Sequence, residues 1–123
     1  MHPFSKWAAM EDREQLEILT VTTAVGSRPD AEKLARAVID ARLAACVQLD
    51  AGLVSIYRWQ GQVCEETEIR LTLKTIPEAE PALRTFLGAQ HPYDVPQYTC
   101  WRAIASPDYA HWVRGEVVMP AGA

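Results

Sequence analysis

The order of strand-like and helix-like segments constrains this chain of 123 residues more than any single motif does. The clearest segment is 68–74, where Ile69, Leu71 and Leu73 point to one face and the polar residues between them point to the other. Other β-branched and apolar runs predict strands over residues 16–24, over 46–50 continuing as 53–60 after Ala51-Gly52, and over 97–105.

Helices are predicted between these strands. Residues 27–44 begin at a candidate N-cap, Ser27, and carry an apolar stripe at helical spacing. Residues 75–90 begin with a Thr and a Glu spaced as a capping box, although Pro81 would suit a start nearer Glu80. A last helix is predicted over 106–117, beginning at Ser106.

The resulting order, β-α-β-β-α-β plus a terminal helix, predicts an α+β protein of the ferredoxin-like split βαβ type. Its antiparallel sheet would carry both main helices on one face. The predicted domain is 16–118, with a poorly ordered tail at 1–15 and another tail at 119–123. The other face would leave Tyr57, Trp59 or their neighbours uncovered, and an uncovered apolar sheet face is typical of an interface. The pattern therefore predicts an oligomer.

Composition narrows the classes of function. A net charge of −4 without a basic cluster argues against nucleic acid as the main partner. The first fifteen residues contain no apolar run long enough for a signal peptide or membrane span, so no membrane association is expected. Three cysteines, Cys46, Cys64 and Cys100, match no metal or redox spacing and indicate reduced thiols in the cytoplasm.

Several motifs in order resemble the CutA family, the divalent-cation tolerance proteins, over roughly residues 16–117. They are Thr22-Thr23-Ala24, Arg42-Leu43-Ala44-Ala45-Cys46-Val47, Ser55-Ile56-Tyr57-Arg58-Trp59-Gln60-Gly61, Leu73-Lys74-Thr75, His91-Pro92-Tyr93-Asp94-Val95-Pro96 and Tyr109-x-x-Trp112-Val113. The resemblance implies a cytosolic homotrimer built by strands pairing across subunit edges, linked to copper tolerance and able to bind copper(II) or another divalent cation. It also implies structural kinship with trimeric PII signalling proteins. It does not imply a catalytic activity shared by the family.

Two residues are candidate metal ligands. His91 lies between a helix and a rigid corner with two prolines, where it could bind copper(II) or simply end the helix and hydrogen-bond the corner. Cys46 opens a strand, where a thiolate could bind metal, although a small buried hydrophobic role is favoured.

A second candidate site is a pocket between subunits formed by Tyr57 and Trp59, with Lys74 from the neighbouring strand as its cation. Packing of the trimer is the alternative role for these aromatic residues, especially Trp59. The acidic run of Glu65, Glu66 and Glu68 could attract cations weakly, although a solvated face is the favoured interpretation.

Three functions follow as hypotheses. The favoured one is a non-enzymatic homotrimer that binds copper(II). The alternative is a PII-like sensor whose cleft holds a small anionic or nucleotide-like ligand near Lys74, Arg58 and Tyr57. A nucleophile pair of Cys46 and His91 would make an enzyme, but the spacing gives no sign of an orienting group or oxyanion hole.

Overall fold

A four-stranded antiparallel sheet in the order β2-β3-β1-β4 organises the computed structural model, which describes residues 13–119. This is the expected split βαβ topology. The elements in chain order are α1 (Arg13–Leu16), β1 (Glu17–Val25), α2 (Arg28–Asp40), β2 (Cys46–Trp59), β3 (Gln62–Thr75), a 3₁₀ turn (Pro77–Ala79), α3 (Glu80–Gln90), β4 (Thr99–Ile104) and α4 (Pro107–Glu116).

The main core lies between the helices α2 and α3 and one face of the sheet. On the central strands, Val21 pairs with Leu73, and both are fully buried together with Leu71. Leu34 and Leu83 pack against them from the two helices. The alternation that predicted this face in residues 68–74 is therefore confirmed.

The opposite face is covered only in part. Ile18 on β1 and Ile76 form a smaller cluster with Ala110 and Val113 of α4. Because α4 spans only ten residues, it covers one part of the sheet and leaves the rest of that face open. Within residues 13–119, no helix is long and apolar enough to cross a membrane.

The predicted caps are confirmed at two helices. The side chain of Ser27 accepts a hydrogen bond from the Asp30 N–H at 3.2 Å, and Ser106 does the same for Tyr109 at 3.4 Å. The first long helix ends at Asp40, four residues before the predicted end. The chain reverses at Arg42, whose φ of 60° is left-handed, and then enters the sheet.

The predicted capping box at Thr75 is wrong. Thr75 is the last residue of β3, and its buried hydroxyl donates to the Leu43 carbonyl at 2.7 Å. The α-helix begins at Glu80, so the start suggested by Pro81 is the correct one. Tertiary pairing of Thr75 with the loop after α2 outcompetes its local capping role.

Strands β2 and β3 form a hairpin longer than predicted. β2 runs through Gly52 (φ 80°) with a register shift between Asp50 and Leu53, and β3 begins at Gln62 instead of residue 68. The turn at Gln60 and Gly61 has positive φ at both residues, which suits the twist of a two-residue hairpin. Pairing of β3 with β1 stops at Ile69, so residues 53–68, called the hairpin arm below, pair only with each other.

Two boundaries also differ at the ends of the domain. Residues 13–15, expected in a poorly ordered tail, belong to a helical turn that leads into β1. The fourth strand spans Thr99–Ile104, shorter than the predicted 97–105. The remaining parts of the predicted tails, residues 1–12 and 120–123, lie outside the described residues.

Candidate functional site

A cavity of about 670 Å³ lies where the hairpin arm meets the segment that follows α3, residues 91–97, called the corner below. Its size is within the range of small-molecule sites in proteins. The lining comes from the arm, the end of β1 and the corner: Ala24, Ser55, Ile56, Tyr57, Trp59, Glu66, Glu68, Tyr93, Asp94, Val95 and Gln97. The fold therefore brings together the proline-bracketed corner and the aromatic strand, which the sequence presents more than thirty residues apart.

Strand register explains the arm side of this cavity. Tyr57 is opposite Cys64 in the β2–β3 ladder, and Ser55 is opposite Glu66. Residues two apart share a face, so Tyr57 and Glu66 are diagonal neighbours. The Tyr57 hydroxyl donates to Glu66 Oε1 at 2.6 Å. This bond and the surrounding negative charge raise the pKa of Tyr57 to about 12, so the phenol stays protonated and acts as the donor.

The corner side repeats the same arrangement. The Tyr93 hydroxyl donates to Glu68 Oε2 at 2.8 Å. Glu68 is buried, and burial followed by the bond to Glu68 raises the pKa of the Tyr93 phenol. Two tyrosine–glutamate pairs, one exposed and one largely buried, thus lie on neighbouring parts of one wall.

His91 holds the corner to the sheet. Its ring Nδ1 accepts the Tyr93 N–H at 3.1 Å, so the proton lies on Nε2, which donates to the Ala24 carbonyl at 3.0 Å. Burial lowers the pKa of His91 and favours this neutral form. Its backbone N–H also closes α3 by donating to Leu87. Both ring nitrogens are engaged, so this geometry favours the structural role over the ligand role.

Lys74 is far from the two aromatic residues with which it was grouped. It pairs with Cys46, ten residues along β3 from the partner of Tyr57, which corresponds to about 33 Å of strand. Within one chain, therefore, the predicted grouping of Lys74 with Tyr57 and Trp59 is not formed.

The two candidate metal ligands are also separated. Cys46 pairs with Lys74, whereas Ala24, the partner of the His91 ring, pairs with Arg70. Four positions along β3 correspond to about 13 Å, beyond hydrogen-bond or shared-metal reach. Cys46 is half-buried and free. Across residues 13–119, no group of three or more His, Cys, Asp or Glu side chains is arranged to hold a metal ion.

Glu66 and Glu68 are functional candidates to which sequence reasoning gave only a weak role. Their acidic run was interpreted as a solvated face, yet both side chains accept hydrogen bonds from tyrosines at the cavity wall. Their spacing of two residues on a strand was the available signal, because it places both on one face. Only the register of β2 against β3 showed that this face also carries Tyr57.

Fold and site together define a class of protein: a small ferredoxin-like α+β protein with a ligand-sized cavity between a long hairpin and a histidine-anchored corner. Residues 19–116 match the family model described as CutA1 divalent ion tolerance protein. The chain belongs to this family, which confirms the resemblance drawn from its motifs.

Relatives and solved structures agree with the assignment. The Divalent-cation tolerance protein CutA of Thermus thermophilus is 41% identical over 99 residues, covering 80% of this chain and 94% of that protein. The solved structure of the divalent cation tolerance protein from Thermus thermophilus gives a TM-score of 0.77 at 40% identity, over 82% of this chain and 99% of that one. CutA1 from Oryza sativa gives a TM-score of 0.82 at 28% identity, over 87% and 99%.

Animal relatives are longer. Protein CutA of Homo sapiens is 40% identical over 90 residues, which cover 68% of this chain and 48% of the human protein. The chain thus spans about half the length of this relative.

Proposed function

We propose that this divalent-cation tolerance protein is a homotrimer that works in the cytoplasm by binding copper(II) or another divalent cation, without catalysing a reaction. The main support for the proposed homotrimer is the exposed apolar surface of the hairpin arm. Ile56, Val63 and Val54 are 67%, 65% and 56% exposed, respectively. Isoleucine and valine side chains are usually buried in folded proteins, so this surface is suited to contact with another chain.

Two open sheet edges support association of several copies. The strand order leaves β2 and β4 at the edges, and long unprotected edges are surfaces on which another chain can pair. On the β4 edge, Trp101 is 51% exposed. Apolar surface at both edges suits a closed ring in which one edge of each copy meets the other edge of the next.

A copper centre does not fit the described residues of a single chain. His91 uses both ring nitrogens, Cys46 lies about 13 Å away along the sheet, and no cluster of three ligating side chains is formed within residues 13–119. We therefore propose that copper(II) is bound by donors from more than one subunit. Imidazole, thiolate and carboxylate groups are all suitable ligands for divalent transition metals.

The proposed location and the absence of catalysis rest on the thiols. Cys46, Cys64 and Cys100 are all free, as expected for a reducing compartment. The nucleophile pair considered for an enzyme, Cys46 with His91, lacks hydrogen-bond contact, and the imidazole is already committed to Ala24 and Tyr93.

One experiment tests assembly and metal binding together. Sedimentation velocity of the full chain should show a particle of three copies, and Ile56→Asp should yield smaller particles that remain folded by circular dichroism. Ile39→Asp is the matched control, because Ile39 is exposed on α2, outside the hairpin arm. Wild-type protein sedimenting as a single chain would contradict the trimer.

Calorimetric titration with copper(II) then tests the site. We expect binding to the wild type and to Ile39→Asp, and much weaker binding to Ile56→Asp, because dissociation separates the donors. We expect His91→Ala to keep the wild-type stoichiometry. If His91→Ala abolished binding while the trimer persisted, His91 would return to the ligand set, and equal binding by Ile56→Asp would refute a site between subunits.

A further inference from the structure

The walls of the cavity carry a chemistry that divalent-cation tolerance does not account for. Three of its lining side chains are aromatic, namely Tyr57, Trp59 and Tyr93. Three others are acidic, namely Glu66, Glu68 and Asp94. Among the residues of 13–119 that line it, no lysine, arginine or histidine occurs. Aromatic faces and carboxylates both attract positive charge.

The negative charge at this wall is not neutralised within the described chain. The two glutamates each accept one hydrogen bond from a tyrosine hydroxyl, which brings no positive charge to the wall. Glu66 Oε2 and Glu68 Oε1 make no hydrogen bond to another described residue, and the ion pairs within residues 13–119 involve other acids. Glu68 is also largely buried and lines the cavity, so a positively charged group bound there would supply the partner that its second carboxylate oxygen lacks.

The same geometry argues against the anionic ligand considered for a PII-like sensor. Lys74 lies about 33 Å away along β3, and Arg58 alternates with Tyr57 and Trp59 to the other face of β2. Neither lines the cavity. An anion would therefore meet carboxylates without a compensating cation.

We propose that this cavity binds an organic ammonium ion, whose charged head lies against Glu66 and Glu68 and whose carbon body contacts Trp59 and the two tyrosines. A cavity of about 670 Å³ is far larger than a bare metal ion needs, and it suits a molecule with an apolar body. Contact between an ammonium group and aromatic faces adds cation–π attraction to that of the carboxylates. The site is separate from the copper(II) binding proposed above.

Choline is a suitable probe, with 3,3-dimethyl-1-butanol as its uncharged equivalent of nearly the same shape. Full-length protein labelled with ¹⁵N would be titrated in the presence of EDTA, so that metal binding cannot contribute. We expect choline at millimolar concentration to shift the indole N–H resonance of Trp59 saturably. The indole signals of Trp101 and Trp112, which are exposed elsewhere, serve as internal controls. Absence of a Trp59 shift, or equal shifts with the neutral alcohol, would overturn the proposal.

Charge variants locate the site. Glu66→Gln should weaken choline binding at least about fivefold, because it removes a full charge from an exposed wall position at no cost to the core. Glu65→Gln is the matched control. It lies next in sequence, is exposed and does not line the cavity, so its substitution should leave affinity unchanged. Equal losses in the two variants would mean that general surface charge, and no specific site, attracts the probe. Because EDTA excludes metal throughout, failure of choline to bind would not affect the copper(II) proposal. Failure of copper(II) to bind would likewise not affect the proposal of an ammonium site.

Discussion

The hairpin arm and the packed body, meaning the sheet and helices outside residues 53–68, both contain strands in which apolar and polar residues alternate. Their surroundings are opposite. In the body, alternation on β3 buries Leu71 and Leu73 completely under α2 and α3. In the arm, alternation continues through Ile56 and Val63, yet both are about two-thirds exposed because no layer of the described chain lies over them. Alternation defines which side chains share a face. Coverage of that face depends on which other elements the fold places there.

The largest expected effect lies in the body. Leu71→Ala leaves a cavity in a fully buried site and should cost about 2–5 kcal/mol in the free energy of unfolding. Ile56→Ala in the arm should cost less, and its effect on Tm should depend on protein concentration, because in the proposed trimer Ile56 makes its contacts with another copy. Thermal unfolding at two concentrations tests both. A loss for Ile56→Ala that equals that of Leu71→Ala and is independent of concentration would erase the distinction between the two regions.

A smaller effect is expected from hydroxyl removal in the body. Thr75→Val keeps the shape but leaves the Leu43 carbonyl without its buried donor, which should cost about 1–3 kcal/mol. Thr67→Val, at an exposed position of the arm, should be nearly neutral. Urea unfolding of the two variants provides the measurement. Comparable losses would show that Thr67 makes a contact in solution that the single chain lacks.

Acid should weaken the junction between body and arm. Burial lowers the pKa of His91 below its ordinary value of 6.5, so the folded state binds the proton less well than the unfolded state does. The stability due to neutral His91 is complete above pH 6.5 and declines as pH falls below it, until the folded form is protonated too. Protonation of Nδ1 would also break the bond from the Tyr93 N–H.

Urea unfolding between pH 5 and pH 8 checks this dependence. His91→Gln should show a flatter profile, whereas His111→Gln, at an exposed position on α4, should keep the wild-type profile. An unchanged profile in His91→Gln would show that other groups cause the acid sensitivity.

The smallest expected effect concerns the pKa of the Tyr57 hydroxyl in the arm. Spectrophotometric titration of the wild type minus Tyr57→Phe should isolate a phenol with a pKa of about 12. In the Glu66→Gln background the same difference should move toward the ordinary value of 10.0, since the hydrogen-bonded carboxylate is the main cause of the shift. Glu65→Gln should leave it in place. A Tyr57 that titrates near 10 in the wild type would mean that the hydrogen bond to Glu66 is not maintained in solution.

Local signals predicted the body well. Ser27 and Ser106 were identified as helix caps because a side-chain oxygen before a helix satisfies a free backbone N–H without help from distant residues. Pro81 indicated the start of α3 for an equally local reason. The capping box predicted at Thr75 was wrong because the Thr75 hydroxyl donates to the buried carbonyl of Leu43, a residue distant in sequence. No local pattern reveals that contact.

The candidate site was predicted only in parts. Tyr57, Trp59 and the His91 corner were recognised, and the structure brings Tyr57 and Trp59 to one cavity with Tyr93 of that corner. Lys74 was grouped with them because adjacency of strands was inferred without their register, and ten residue positions separate it from the partner of Tyr57. Glu66 and Glu68 were set aside as solvated because an acidic run looks the same in sequence whether water or a tyrosine faces it.

The sequence by itself determined the order of the elements, the two serine-capped helices, the apolar face of β3 and the membership in the CutA1 family, since each depends on residues close together in the chain or on motifs in linear order. Only the tertiary structure decided which residues meet: the neutral His91 bound to Ala24, the two tyrosine–glutamate pairs and the cavity they line. The physical reason is register. A strand shifted by one residue presents its other face, so contacts between distant segments follow from pairing that only the folded chain defines.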